Sequence, residues 1–376
     1  MPLEFIGSPS MTMGVEVEVQ ILDAKTKDLN PSSPKIFERI GEDYKHIKPE
    51  LIQSMIEINT GICSDISQVR ADLGRQIDIL KSFSDELAVT FASSGSHPFA
   101  RYIDRILYPA ERYRYLIDRN RWIAQRLMIF GLHIHVGMRD ARHAMAMNNA
   151  MLYYLPHLLA LSASSPFWQG KDTGLASSRV TIFEALPTGG HPCTFESWDE
   201  FVSFYDAMIA SKSITSIKDI WWDIRPHPEY GTIEIRVCDG LATIEETLSL
   251  VAFAQCLYAW LDDQFRNGRV FSPPPYWILR ENKWKASRYG LEGEIILDKR
   301  GRTGLLRKEI ERLLPTLQPY SLTLGCHEEL ARVQDALDKG CSYERQRKVF
   351  EKEGTFIAVA ESLVEEFWQG KPMYVN

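Results

Sequence analysis

In the stretch MGVEVEVQIL, Met13 to Leu22, Glu16 and Glu18 alternate with Val15, Val17, Val19 and Ile21. Side chains two apart on a strand share a face, their backbones about 6.5–7 Å apart. Two carboxylates so placed repel unless something positive lies between them. One reading is an outer strand with a wetted face; the other is a hard divalent cation held by oxygen ligands. The same alternation recurs along the chain. GLHIHVGM sets His133 and His135 opposite Ile134 and Val136, and GTIEIRVCD sets Thr232, Glu234 and Arg236 opposite Ile233, Ile235 and Val237. QSMIEINTG sets Met55, Glu57 and Asn59 opposite Ile56 and Ile58, while IWWDIRP puts Asp223 beside Arg225. Each aliphatic face suits packing under helices, and each opposite face carries ionisable groups rather than the Thr, Ser and Lys of a merely wetted sheet. The pattern predicts a site on the polar face of an antiparallel sheet.

Convergence of Glu16, Glu18, Glu57 and Glu234 would cost on the order of 4 kcal/mol for each like-charged pair about 4 Å apart at an effective dielectric near ~20. Either some of these carboxylates are protonated, or cations sit among them. An oxygen-rich set with one imidazole suits magnesium or manganese better than zinc. Magnesium beside arginines points to phosphoryl transfer, where the charge of a transferring phosphate is stabilised. The sequence has no G-x-x-x-x-G-K-[ST] loop and no G-x-G-x-x-G fingerprint, so ATP use would rest on the metal cluster. Two rivals stay open at this point: a metal-dependent hydrolase working without ATP, for which H-x-H is a weak signal, and a non-catalytic metal- or nucleotide-binding protein.

Helices must position these strands. Val69, Leu73, Ile77, Leu80, Phe83 and Leu87 recur at spacings of three and four after Ser64, which predicts an amphipathic helix with Ser64 as N-cap. A second helix is predicted from Glu111 to Ile129, a third through NNAMLYYLPHLLALSA with a kink or break at Pro156, and a fourth from near Ser197. Thr243 and Glu246 form a capping box ahead of the apolar run Leu248 to Leu261, and RTGLLRKEIERLL and GTFIAVAESLVEEFW predict further helices toward the C-terminus. No repeat or long linker divides the chain, so residues 1–376 are expected to form a single domain. A net charge of −7 argues against a nucleic-acid surface. With no leader-like start and no long apolar run, a soluble cytoplasmic protein without membrane attachment is expected. Six dispersed cysteines without a C-x-x-C pair predict buried free thiols. A homodimer is the base-rate expectation for its assembly.

Seven segments in order carry a family likeness: GVEVEVQ, PELIQSMIEINTG, SGSHPF, FGLHIHVGM, LASSRVTIFEALP, DIRPHPEYGTIEIRVCD and ENKWKASRYGLEG. Together the sequence resembles the glutamate-cysteine ligase type 2 family, in its YbdK-like carboxylate-amine ligase branch. The resemblance implies an α+β fold like the catalytic domain of glutamine synthetase, with a curved, largely antiparallel sheet forming a funnel and helices packed on its outer face. It implies an ATP-dependent ligase that activates a carboxylate, the γ-carboxylate of glutamate by expectation, as an acyl phosphate and joins it to an amine such as cysteine. The cofactors implied are ATP and Mg2+, with Mn2+ as an alternative, and the partners are small molecules.

Matched to the family motifs, Glu16, Glu18, Glu57, His135 and Glu234 are the implied metal ligands. Glu50 joins them at a position where family members commonly have aspartate, and His133 is a supporting group. Arg236 is expected to touch the transferring phosphate, with Arg225 assisting from the neighbouring strand. Arg179 is expected to hold the α-carboxylate of the substrate, and Arg288 to sit near the nucleotide. His97, in the loop SGSHPF, is expected either to border the site or to be structural, while His46, His143, His157, His191, His227 and His327 are expected to be structural.

Overall fold

A computed structural model describes residues 3–41 and 44–374. Its central feature is a sheet of seven strands: β1 (Met13–Asp23), β2 (Ile47–Pro49), β3 (Met55–Asn59), β4 (Val89–Ala92), β5 (Gly131–Gly137), β6 (Ile224–His227) and β7 (Thr232–Asp239). Six follow one path in the order β6-β7-β5-β1-β3-β2, β4 pairs the later part of β1, and every pairing is antiparallel. The strand carrying Glu16 and Glu18 is therefore central, between the H-x-H strand and the Glu57 strand.

The period-two pattern decides which face is core. Val15, Val17, Val19, Ile21, Ile56, Ile58, Ile134, Val136, Ile233 and Ile235 are all buried and belong to one apolar cluster. That cluster is completed by Val69, Leu73 and Leu80 of the helix Ile66–Leu87 and by the Leu248 to Leu261 stretch of the helix Ile244–Arg266. Ile134, fully buried and paired with Val15 on one side and Ile235 on the other, lies at the middle of it. Ile134→Ala is expected to cost about 2–5 kcal/mol of stability through lost burial and a cavity, read as a lower denaturant midpoint with unchanged slope.

Local chemistry explains the helix boundaries. Thr243 caps the helix Ile244–Arg266 by accepting from the Glu246 amide at 3.1 Å, while its hydroxyl donates to the Glu246 carboxylate at 2.9 Å. The cap before Ile66 is Asp65 rather than Ser64, because the Asp65 carboxylate accepts from the Gln68 amide at 3.0 Å. The single helix expected from Glu111 to Ile129 is instead Glu111–Asn120 and the short turn Trp122–Gln125, broken where Arg121 takes φ 49° in the left-handed region. The stretch around Pro156 likewise divides into Ala141–Met151 and Leu155–Ser162, with the proline in the first turn where no amide is needed.

The strand expected over IWWDIRP is also divided. Trp221–Trp222 pairs in parallel with Gly189–Gly190, and only β6 joins the main sheet, leaving Asp223 at the break. All cysteines are free, Cys193 exposed and the others buried. Among the described residues no helix is long and apolar enough to cross a membrane.

Candidate functional site

Strand register brings the polar residues together. Glu16 pairs with Asn59 on β3 and with His133 on β5, Glu18 pairs with Glu57, and Glu234 pairs with His135 on one side and Arg225 on the other. Apart from Asn59, these side chains line a cavity of about 430 Å³ on the face opposite the apolar cluster. Glu16 belongs to two clusters, one with Glu57 and His133 and one with His135 and Glu234, in each of which one potential ligand atom per residue lies within 4.8 Å of the others.

The imidazoles are held for ligation. His135 Nδ1 sits 2.9 Å from the Thr232 hydroxyl, which leaves Nε2 facing Glu16 Oε1 at 3.8 Å. His133 Nδ1 lies 3.2 Å from Glu16 Oε2. The Nε2 atoms of both rings are buried without a hydrogen-bond partner. In His135 the orphaned Nε2 faces a carboxylate while Nδ1 is fixed by a hydroxyl, as a metal-binding imidazole requires; in His133 it is Nδ1 that faces Glu16, and the orphaned Nε2 lies by Gly131. The donor set fits a hard divalent cation.

The electrostatics divide the carboxylates into two kinds. Burial opposes the charge of Glu16, but the His133 hydrogen bond and the two imidazoles outweigh it and hold its pKa at about 2. Burial likewise opposes the charge of Glu234, and the guanidinium groups of Arg225 and Arg236 keep it well below the usual carboxylate range. Glu57 is pushed well above that range by burial and then by the charges of Glu16 and Glu50, despite Lys48 Nζ at 3.5 Å. Glu50 is raised to about 7 by burial and then by Glu18. The crowding foreseen from the sequence is thus relieved in part by protonation and in part by arginine.

The arginines have unequal freedom. Arg225, 6% exposed, donates from Nε to Glu234 at 2.7 Å and from Nη1 to the carbonyls of Ile217 and Ile220, which commits those two nitrogens to the protein. Arg236 donates from Nη1 to Glu234, and its buried Nε has no partner. Arg179 donates from Nη1 to the Arg236 carbonyl at 3.2 Å, stands over the Phe183 ring, and has an unpartnered Nε. A Cβ at Gly131 would overlap the Arg179 guanidinium and crowd His133 Nε2 at 3.1 Å, so glycine at the start of β5 lets arginine and imidazole share this wall.

Of the expected site residues, Glu16, Glu57, His135 and Glu234 meet in the two clusters, with His133 added. Glu18 and Glu50 line the same cavity outside those clusters: Glu18 accepts from the Gly131 amide, and Glu50 from the Leu51 amide at 3.1 Å. Arg179, Arg225 and Arg236 line the cavity as well. Arg288 does not. It lies at the end of the helix Tyr276–Tyr289, donates to the Gly174 carbonyl and stands over the Tyr289 ring. Asp223 does not share the face of Arg225, because the strand breaks there and its carboxylate meets Lys283 at 2.7 Å. His97 is buried outside the cavity, where its ring contacts the Lys27 carbonyl at 2.8 Å and accepts from the Ala100 amide at 3.0 Å.

The cavity is also lined by residues outside the expected set, among them His227, expected to be structural. His227 lines the cavity with its ring stacked on Tyr230 at 4.1 Å, and both rings lie 5.8 Å from His135. It stands two residues after Arg225, so the same alternation points to it. Lys48 stands two before Glu50 and could have been read likewise. Arg112 and Tyr113 reach the cavity from the helix Glu111–Asn120, and Lys218 from a short turn, with no periodic signal to mark them.

Comparison with known proteins gives this constellation a family. The model of glutamate-cysteine ligase family 2 matches residues 12–365. A protein of Bdellovibrio bacteriovorus, provisionally named glutamate–cysteine ligase 2, is 47% identical over 366 residues, covering 97% of each chain. One of Thermobifida fusca with the same provisional name is 41% identical, covering 99% of this chain and 94% of its own. Among solved structures, glutamate–cysteine ligase from Francisella tularensis in complex with AMP aligns with TM-score 0.70 at 12% identity, over 96% of this chain and 90% of its own. A bifunctional glutathione synthetase from Pasteurella multocida aligns with TM-score 0.67 at 13% identity, over 95% of this chain and 52% of its own. The low identity of these two makes the likeness one of fold, whereas the match along nearly the whole sequence is one of descent: the chain belongs to glutamate-cysteine ligase family 2.

Proposed function

We propose that this protein is an ATP-dependent carboxylate–amine ligase whose acid substrate is glutamate. The observation that carries the reading is the pair of carboxylate–imidazole clusters sharing Glu16, on the same cavity as Arg179 and Arg236. Glu16, Glu57, His133, His135 and Glu234 would hold magnesium or manganese, with Glu18 and Glu50 supporting the same wall. When bound, such a cation supplies charge neutralisation for the triphosphate.

In the proposed reaction a carboxylate oxygen of the substrate attacks the γ-phosphorus of ATP, the bond to the β,γ-bridging oxygen breaks, and ADP leaves. The amine nitrogen then attacks the acyl carbon, phosphate departs with its bridging oxygen, and the nitrogen gives up a proton. Arg236 fits the first step, since its guanidinium reaches the cavity with an unused Nε donor to meet charge on the transferring phosphate. Arg225 serves by fixing Glu234. Arg179 has a free donor for a substrate carboxylate, and Phe183 beneath its guanidinium restricts its direction. The nucleotide role expected of Arg288 has no geometric support from the cavity.

The test is product formation. Purified protein with ATP, magnesium and glutamate is expected to release phosphate only when an acceptor from a panel of amines, cysteine included, is present, with the amide identified by mass spectrometry. Cleavage of substrates without ATP would instead favour the hydrolase, and nucleotide binding with no product from any amine would favour a binding protein.

A further inference from the structure

Among the described residues outside the cavity is a buried charge cluster that the reaction does not use. Lys283, 3% exposed, lies on the helix Tyr276–Tyr289 with Nζ 2.7 Å from Asp223 Oδ2 and 3.3 Å from Glu184 Oε2. Asp223 is also 3% exposed, and His191 stands beside it with Nδ1 3.7 Å from Oδ2. Burying a lysine and an aspartate is costly unless they pair closely, and removing either leaves the other uncompensated. The stretch ENKWKASRYGLEG therefore contributes a buried cation to the break between two strands, although its Arg288 points elsewhere.

The main chain of Asp223 connects this cluster to the cavity. Its amide donates to the Gly190 carbonyl at 2.7 Å. Its carbonyl accepts from two successive amides of β7, Arg236 at 2.8 Å and Val237 at 3.1 Å. The register of β7 against β5 shifts between Ile235 and Cys238, so those amides belong to a β-bulge. Bulges re-aim side chains, and the side chain carried by this one is Arg236. One carbonyl thus holds both amides of the bulge, and Lys283 anchors the residue that supplies it.

We propose that Lys283 is a positioning residue for the ligase reaction, which through Asp223 fixes the bulge that aims Arg236 into the cavity. The proposal rests on the reading of Arg236 as a contact to the transferring phosphate. Its backbone component can be measured without any turnover.

In the full-length protein, Lys283→Met is expected to speed hydrogen exchange of the Arg236 and Val237 amides about tenfold or more, while the β5 amides of residues 132–136 stay protected. Turnover is expected to fall about 10–100-fold in kcat with KM for ATP within about threefold of the parent, the signature of a misplaced transition-state contact. Lys283→Arg, which keeps the charge, is expected to restore most of both. Combining Lys283→Met with Arg236→Lys is expected to lose no more than Arg236→Lys alone, since the two act through one guanidinium.

Unchanged exchange at Arg236 and Val237, or additive losses in the double variant, would overturn the proposal. If Lys283→Met does not fold, Asp223→Asn, which removes the partner charge at nearly constant volume, must give the same exchange pattern or the proposal fails. A parent protein that never consumes ATP would refute the ligase reading instead, with the exchange measurement still deciding whether Lys283 holds the bulge.

Discussion

Glu16→Gln is expected to lower ligase turnover by about 1000-fold and Mn2+ affinity by more than about 100-fold, while costing the metal-free protein less stability than the loss of Glu234 does. Loss of an outer-shell partner alone typically weakens metal binding about 10–100-fold, and Glu16 is the one residue common to both clusters. The pKa of Glu16, held at about 2, marks stability that its charge contributes and the variant gives up, but its side chain is 20% exposed and faces imidazoles rather than two guanidinium groups. Glutamine keeps an oxygen toward His133 and alters the volume little.

Glu234→Gln should separate from it clearly. Glu234 is 1% exposed between Arg225 and Arg236, so neutralising it leaves two buried guanidinium groups without their carboxylate. Breaking such a cluster from one side costs about 3–5 kcal/mol, visible as a lowered denaturant midpoint even in chelator. Thermal or chemical unfolding of both variants in chelator, beside turnover in magnesium, checks the pair. Equal destabilisation by the two substitutions, or full activity in either, would contradict the assignment.

The alternation in the sequence made the ionisable face legible because a strand has period two, and E-x-E, H-x-H and E-x-R can share a face in no other simple way. Register was not legible. That Glu16 lies between His133 and Asn59 depends on β1 being central, which no local pattern states. Asp223 was misread because strict alternation assumes an unbroken strand, whereas the chain leaves Gly189–Gly190 and joins β7 at that residue. His227 reads as structural although the period continues through it, since PHPEYG reads as turn. Arg112, Tyr113 and Lys218 reach the cavity through tertiary packing alone, and the break at Arg121 needed a backbone conformation that residue type does not announce.

Cation binding is expected to expel protons, and to do so most strongly around neutral pH. With no cation bound, Glu50 has its pKa raised from 4.5 to about 7, by burial and then Glu18, and Glu57 is likewise raised well above the usual carboxylate range by burial and its carboxylate neighbours. The sign follows from linkage. A carboxyl whose pKa is higher folded than unfolded contributes stability that is whole below the unfolded pKa and is lost as pH rises through the folded one. The metal-free protein should therefore weaken from about pH 4.5 up through about pH 7, with Glu50 alone worth about 2 kcal/mol after screening by cavity water. A divalent cation needs these groups ionised, so its affinity climbs over the same interval and its addition releases protons into a weakly buffered solution. Glu57→Gln should release fewer protons, retain the Asn59 hydrogen bond to its side-chain oxygen, and leave the chelator-treated protein at least as stable as the parent at pH 8. Calorimetry with Mn2+ in buffers of different ionisation enthalpy counts the protons directly. No release at pH 6, or cation binding that tightens as pH falls, would mean that Glu50 and Glu57 do not take part in holding the metal.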